Sequence, residues 1–191
     1  MYTKRIYFSG GSFYELQAVF KLLPGVVRVT AGYINPHGDY SNISYEAVKN
    51  ASIHSIFGVE VEFNPKRTDL SSLLDILFAV ADPYSESVQG PYEGPMYRCG
   101  VYYQHGEDLP QLELHFSFAA NRGRPPATCG DEMVINDPNS KAELRRPLKA
   151  RLEKMNTFIP AEEEHQDYLM KHPDENTWVD INRFKELLRL E

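Results

Sequence analysis

The chain opens with apolar and polar residues in alternation, which predicts a strand over residues 2–9 with Ile6 and Phe8 on one face. The period then changes. Phe13, Leu16, Phe20 and Leu23 recur at the spacing of a helix that buries one stripe, and Pro24-Gly25 closes it. "VVRVTAGY" at 26–33 returns to strand character, so the opening unit is strand, crossover helix, strand. A polar loop is expected from Ile34 to Ser44, then a short helix near Tyr45. "GVEVEFNP" predicts a third strand ended by Pro65. "TDLSSLLDILFAVADP" predicts a helix with Asp near its start, apolar Leu70, Leu73, Leu74, Leu77 and Phe78, and Pro83 as the stop.

Residues 82–96 read as a loop rich in Pro and Gly that leads into the strand "YRCGVYYQ". Farther on, "LELHFSF" at 112–118 alternates and predicts a strand, "NRGRPPATCGD" a loop and "EMVIND" a returning strand. "AEEEHQDYLMKH" at 161–172 predicts a polar helix, and "DINRFKELLRL" an amphipathic tail helix. Strands alternating with helices point to an α+β fold, a two-layer α/β sandwich with helices on a sheet. There is no internal repeat and no clear linker, so residues 1–191 read as one domain.

Composition narrows the partners. The net charge of −7 argues against nucleic acid and anionic membrane surfaces. No apolar run approaches the roughly 18 residues of a membrane span, and the N-terminus lacks the features of a signal peptide. Two cysteines, Cys99 and Cys129, do not make a disulfide framework, so a cytoplasmic protein with reduced thiols is expected. His37, His54, His105, His115, His165 and His172 have no metal-ligand spacing, so no metal site is expected; His165 reads as a helix-surface or core-edge contact. "RGRPP" at 122–126 is a basic tip too small for nucleic-acid binding. Twelve tyrosines and ten phenylalanines exceed what a core alone requires, and leave some free to line a pocket.

The candidate chemistry begins at Gly10-Gly11-Ser12. "SFYE" reads as a capping box, with Ser12 accepting from the N–H of Glu15 and the Glu15 carboxylate reaching back. A ligand-binding hydroxyl and a covalent serine are the other readings, although "GGSFY" is not a Gly-x-Ser-x-Gly elbow. Cys99 reads as a buried, inert thiol or as a nucleophile reaching the site from another wall, and Cys129 as an exposed thiol able to pair with it.

These segments, in this order, resemble the methionine sulfoxide reductase A family. Gly11-Ser12-Phe13-Tyr14 stands where that family has Gly-Cys-Phe-Trp at the start of a helix. "LPGVVRVTAGY", "ISYEAV", "ADPYSESVQG", "YRCGVYY" and "FIPAEEEHQDYLMKHP" are similar to successive family blocks. The resemblance runs through residues 4–104 and 148–173, leaving a divergent segment at 105–147 and a helical tail at 174–191. It implies a ferredoxin-like core and a pocket in which a Cys thiolate attacks the sulfur of methionine S-sulfoxide while a Glu protonates the oxygen. Phe13 and Tyr14 then stand at the methyl-binding aromatic pair, and Tyr45 and Tyr97 at the oxygen-binding tyrosines. Ser12 takes the nucleophile's position, Phe57 the acid's (Ile56 if the alignment is shifted by one) and Tyr92 that of an Asp. "DENTWVDINRF" carries none of the resolving cysteines of many members.

A helix terminus is worth roughly 0.3–1 kcal/mol, up to ~2 when partly buried, too little to ionise a serine hydroxyl at neutral pH. The resemblance therefore implies a reductase-like protein without normal reductase activity, its aromatic pocket suited to a methionine-containing peptide or a small apolar ligand. Two alternatives stay open. One is an active reductase, either using Cys99 or Cys129 and a thioredoxin or dithiol reductant, or an engineered Cys-to-Ser form of an active enzyme. The other is an interaction module, including a homodimer. No bound cofactor is expected.

Overall fold

The first strand, β1 (Lys4–Ser9), turns Ile6 and Phe8 into the main core and Tyr7 to the opposite face. The computed structural model describes residues 2–120 and 147–188. After β1 come α1 (Phe13–Lys21), β2 (Val26–His37), α2 (Tyr45–Lys49), β3 (His54–Phe63) and α3 (Leu70–Val80). Two very short strands, β4 (Val88–Gln89) and β5 (Tyr92–Glu93), pair as a hairpin, and β6 (Gly100–Tyr103) follows. The remainder comprises α4 (Leu109–Ala120), β7 (Arg151–Lys154), β8 (Phe158–Pro160), α5 (Tyr168–Lys171) and α6 (Ile181–Leu187).

Six of the described strands form one mixed sheet in the order β7-β6-β1-β3-β2-β8. β3 pairs antiparallel with both β1 and β2, so β1 and β2 run parallel on its two sides, as a crossover through α1 requires. The inner order β6-β1-β3-β2, with α1 after β1 and α3 after β3, is the ferredoxin-like βαββαβ arrangement. Phe13, Leu16 and Phe20 of α1 and Leu70, Leu73, Leu74 and Leu77 of α3 are buried against the sheet. Each such side chain contributes about 1.5–3 kcal/mol. This packing fixes where α1 begins, and with it the position of Ser12.

Three expectations are corrected. "LELHFSF" is helix, not strand: its alternation contains a stripe four residues apart, Leu112 and Phe116, which buries against α3, while Leu114 and Phe118 stay exposed. The polar loop begins later than Ile34, because β2 continues to His37 and pairs Ile34 with Ile56 and His37 with His54. The polar helix over 161–172 is broken into a 3-10 turn at Glu163–His165, a left-handed Asp167 (φ 53°) and the single turn of α5. There the side chains of Glu162, His165 and Gln166 bond across to β2 and α1, and these contacts outweigh continuous helix. The loop at 121–131, including the basic tip at 122–126, and the strand at 132–137 lie outside the described residues. No helix among the described residues is long and apolar enough to cross a membrane.

Candidate functional site

The candidate site lies where β1 hands over to α1. Gly11 adopts φ 77° and donates its N–H to the Tyr97 carbonyl at 2.9 Å, joining this turn to the segment before β6. Gly10 packs so closely that an added Cβ would stand 2.5 Å from that of Ala81. Ser12 is the N-cap of α1, and its hydroxyl accepts from the Tyr14 N–H at 3.2 Å.

The cap is present, but the capping box is not. Glu15 turns away from Ser12, and its Oε1 accepts from Trp178 N–H at 2.5 Å, Val179 N–H at 3.4 Å and the Tyr92 hydroxyl at 3.3 Å. Loop amides of the distant C-terminal segment have taken the carboxylate that the local motif would have used. Burial nonetheless pushes the Glu15 carboxyl above its ordinary range, because the three donors only partly offset the lost hydration. Burial and the Glu15 charge push the Tyr92 hydroxyl up, and the nearby Ser12 hydroxyl offsets this in part.

Behind Ser12 the rings converge. Phe13 lies 5.1 Å from Phe57, 5.1 Å from Tyr14 and 5.8 Å from Tyr45, centroid to centroid. Phe57 also meets Tyr45 at 5.2 Å and Tyr97 at 5.4 Å, and Tyr97 meets Tyr92 at 5.3 Å. Phe13 and Phe57 are each 1% exposed, whereas Tyr14, Tyr45 and Tyr92 are half-buried. The six aromatic residues are thus brought together, with Phe57 filling the floor and three tyrosines forming the rim. The pleat of β3 separates Phe57 from Ile56, which packs instead with Tyr7, Ile34 and Tyr102 on the other face. Burial and the neighbouring Tyr97 push the Tyr45 hydroxyl up to about 12, and burial with the Glu46 charge raises Tyr97. The rim hydroxyls are therefore neutral donors at physiological pH.

The opposite wall comes from the segment after β8. Burial would raise the Glu162 carboxyl, but donation from the Tyr33 hydroxyl at 2.5 Å and the Tyr45 N–H at 3.2 Å holds it below the usual range. His165 Nδ1 meets the Tyr14 hydroxyl at 2.6 Å, and its ring stacks on Tyr45 at 4.7 Å. Gln166 brackets Ala31, accepting from its N–H at 3.0 Å and donating to its carbonyl at 2.8 Å. It also accepts from Gln17 at 3.0 Å.

Over residues 4–128 and 127–190 the chain matches the family described as peptide methionine sulfoxide reductase. The chain belongs to that family. Peptide methionine sulfoxide reductase MsrA of Mycoplasma genitalium is 32% identical over 173 residues, 90% of this chain and 94% of the relative. Two solved structures share the fold: reduced Mxr1 of Saccharomyces cerevisiae (TM-score 0.74, 24% identity, 92% of this chain and 88% of that one) and methionine sulfoxide reductase A of Corynebacterium diphtheriae (TM-score 0.75, 21% identity, 92% and 78%).

Within this reductase scaffold Cys99 is a poor candidate for a relocated nucleophile. Its thiol is wholly buried beneath the Gly10 turn, and burial, with the Asp82 charge, raises its pKa far above neutrality. Cys99 lies where its reading as a buried, inert thiol would put it; Cys129 lies outside the described residues. His165 is likewise more than a core-edge contact, since it joins two rim tyrosines. The roles of Glu162, Gln166 and the Glu15 anchor were missed in the sequence, although the "EEEHQ" block marked where two of them lie.

Proposed function

We propose that this chain is a reductase-family protein that binds a methionine-like or similarly compact apolar group at its aromatic rim without reducing a sulfoxide there. The observation that carries this reading is the pairing of a capped Ser12 with Phe57, a buried ring in the position that the resemblance gives to the acid. Reduction of a sulfoxide removes one oxygen and requires two electrons from the protein. A thiolate supplies them by taking the oxygen as a sulfenic acid, which a second thiol then converts to a disulfide with loss of water; oxygen transfer to a hydroxyl would leave a hydroperoxide, which no second hydroxyl resolves into a stable bond.

Activation of Ser12 as an alkoxide finds no support either. A serine nucleophile requires an adjacent base. The route from Ser12 runs through the Tyr92 phenol, which burial and the Glu15 charge raise, to a Glu15 oxygen already occupied by two backbone amides. Glu162 is held anionic on the far wall and is no proton donor at neutral pH. What remains is recognition: a neutral, ring-lined rim suited to a compact apolar or thioether group, with the Tyr14 and Tyr92 hydroxyls already engaged by His165 and Glu15.

The test is a pair of measurements on the purified chain. With methionine S-sulfoxide and a dithiol, turnover should not exceed the protein-free blank, and calorimetry should detect binding of N-acetylmethionine methylamide that is weakened by Tyr45→Ala. Dithiol-dependent turnover that survives Ser12→Ala and is abolished by Cys129→Ser would instead favour a relocated thiol.

A further inference from the structure

Glu15 takes part in neither the core packing nor the ring cluster, yet it is 4% exposed and holds three donors on one oxygen. Two of those donors are consecutive amides of the segment before α6. From 171 to 178 every residue is exposed, and Val179 alone is buried, so the segment has little apolar anchorage of its own. The Thr177 hydroxyl donates to the Val179 carbonyl at 2.8 Å and stiffens the turn. Asp180 then caps α6, whose Ile181 and Lys185 line a groove of about 540 Å³ with Tyr14 and Ala18 of α1. At the other end the Trp178 indole lies on Gly90, where a Cβ would collide with it. Residues 177–180 therefore run from α6, past the first turn of α1, to the hairpin that carries Tyr92.

We propose that Glu15 is a specificity-determining residue: it fixes residues 177–180 as a wall on the Tyr92 side of the rim, so that the site takes a free small molecule bearing a methylthio or equally compact apolar group and excludes the same group within a polypeptide. This rests on reading the rim as a binding site. A side chain within a peptide brings backbone on both sides of it, at about 3.3 Å per residue. Here one side is closed by the clamped segment and the other by His165 and Tyr168 beside Tyr14. A free ligand needs only its own volume.

The experiment compares free methionine with a flexible peptide carrying one central methionine, by calorimetry on the full chain. The wild type should bind the small ligand at least about tenfold more tightly, and Glu15→Ala should bring the two within about twofold by admitting the peptide. Glu15→Gln keeps an acceptor and should behave as wild type. Trp178 is the sole tryptophan, so its fluorescence anisotropy reports the wall directly: it should fall in Glu15→Ala and hold in Glu15→Gln. If Glu15→Ala does not fold, Asp180→Ala, which loosens α6 without touching α1, should give the same anisotropy change and peptide gain. Equal wild-type affinity for the two ligands overturns the wall, and unchanged anisotropy in the alanine variants overturns the clamp. Failure of both ligands to bind, with the anisotropy change present, overturns the binding-site reading and the specificity claim with it.

Discussion

The two walls of the site differ in how their polar groups are used. On the α1 and β3 wall, Ser12 caps its own helix and Phe57 fills the floor, so this wall brings no carboxylate or imidazole of its own to the rings among the described residues. On the wall after β8, Glu162 and Gln166 bond across to β2 and His165 to α1. One wall is built for ring packing; the other is built for construction, tying the last segments to the sheet. A scaffold's polar joinery is separable from the residue types that line its site, because hydrogen bonds that hold the segment after β8 in place do not depend on which side chain stands at position 12.

The largest effect to expect is on activity. Ser12→Cys alone should give at most trace reduction of methionine S-sulfoxide with a dithiol. Adding Phe57→Glu should raise the rate by about 10²–10⁴, the usual worth of a positioned acid. Equal rates for the single and double variants would break the comparison, since an acid would then be acting from elsewhere. Next in size is Gln166→Ala, which leaves the Ala31 N–H without its acceptor, while the Ala31 carbonyl keeps the Ala161 N–H and the Gln17 amide keeps the Val29 carbonyl, and should cost about 2 kcal/mol in urea unfolding. Ser12→Ala removes only the cap and should cost about 1 kcal/mol, with ligand affinity unchanged.

The smallest effect separates two carboxylates by sign. Glu162 has its folded pKa lowered, so its contribution is present above the unfolded value and lost as pH falls through the folded one. Glu15 has its folded pKa raised, so its contribution is present below the unfolded value and lost as pH rises through the folded one. Thermal midpoints between about pH 3 and 7 should show Glu162→Gln flattening the acid limb and Glu15→Gln removing a decline on the rising side. The same sign for both variants would contradict the contrast in their surroundings.

Much of the scaffold was legible in residue order. The β1-α1-β2 unit, α3 with its Asp69 cap, and the six rings around Ser12 all follow from short-range spacing or from ordered motifs. α4 was misread because residues two apart in a strand include residues four apart in a helix, and only the presence of α3 beneath Leu112 and Phe116 decides between them. The capping box failed for a similar reason: Ser12 and Glu15 satisfy the local rule, but the rule has no knowledge of amides far along the chain.

By itself the sequence determined the periodic strands and helices, the glycine turn that admits Ser12, and the residue types available to the site, because these depend on contacts within a few residues. Only the tertiary structure decided that Glu15 would hold Trp178, 163 residues away, that Phe57 rather than Ile56 would face the rings, and that Cys99 would be sealed beneath Gly10. Those outcomes depend on which groups compete for the same donor, face or volume, and that competition exists only once the sheet has brought distant segments together.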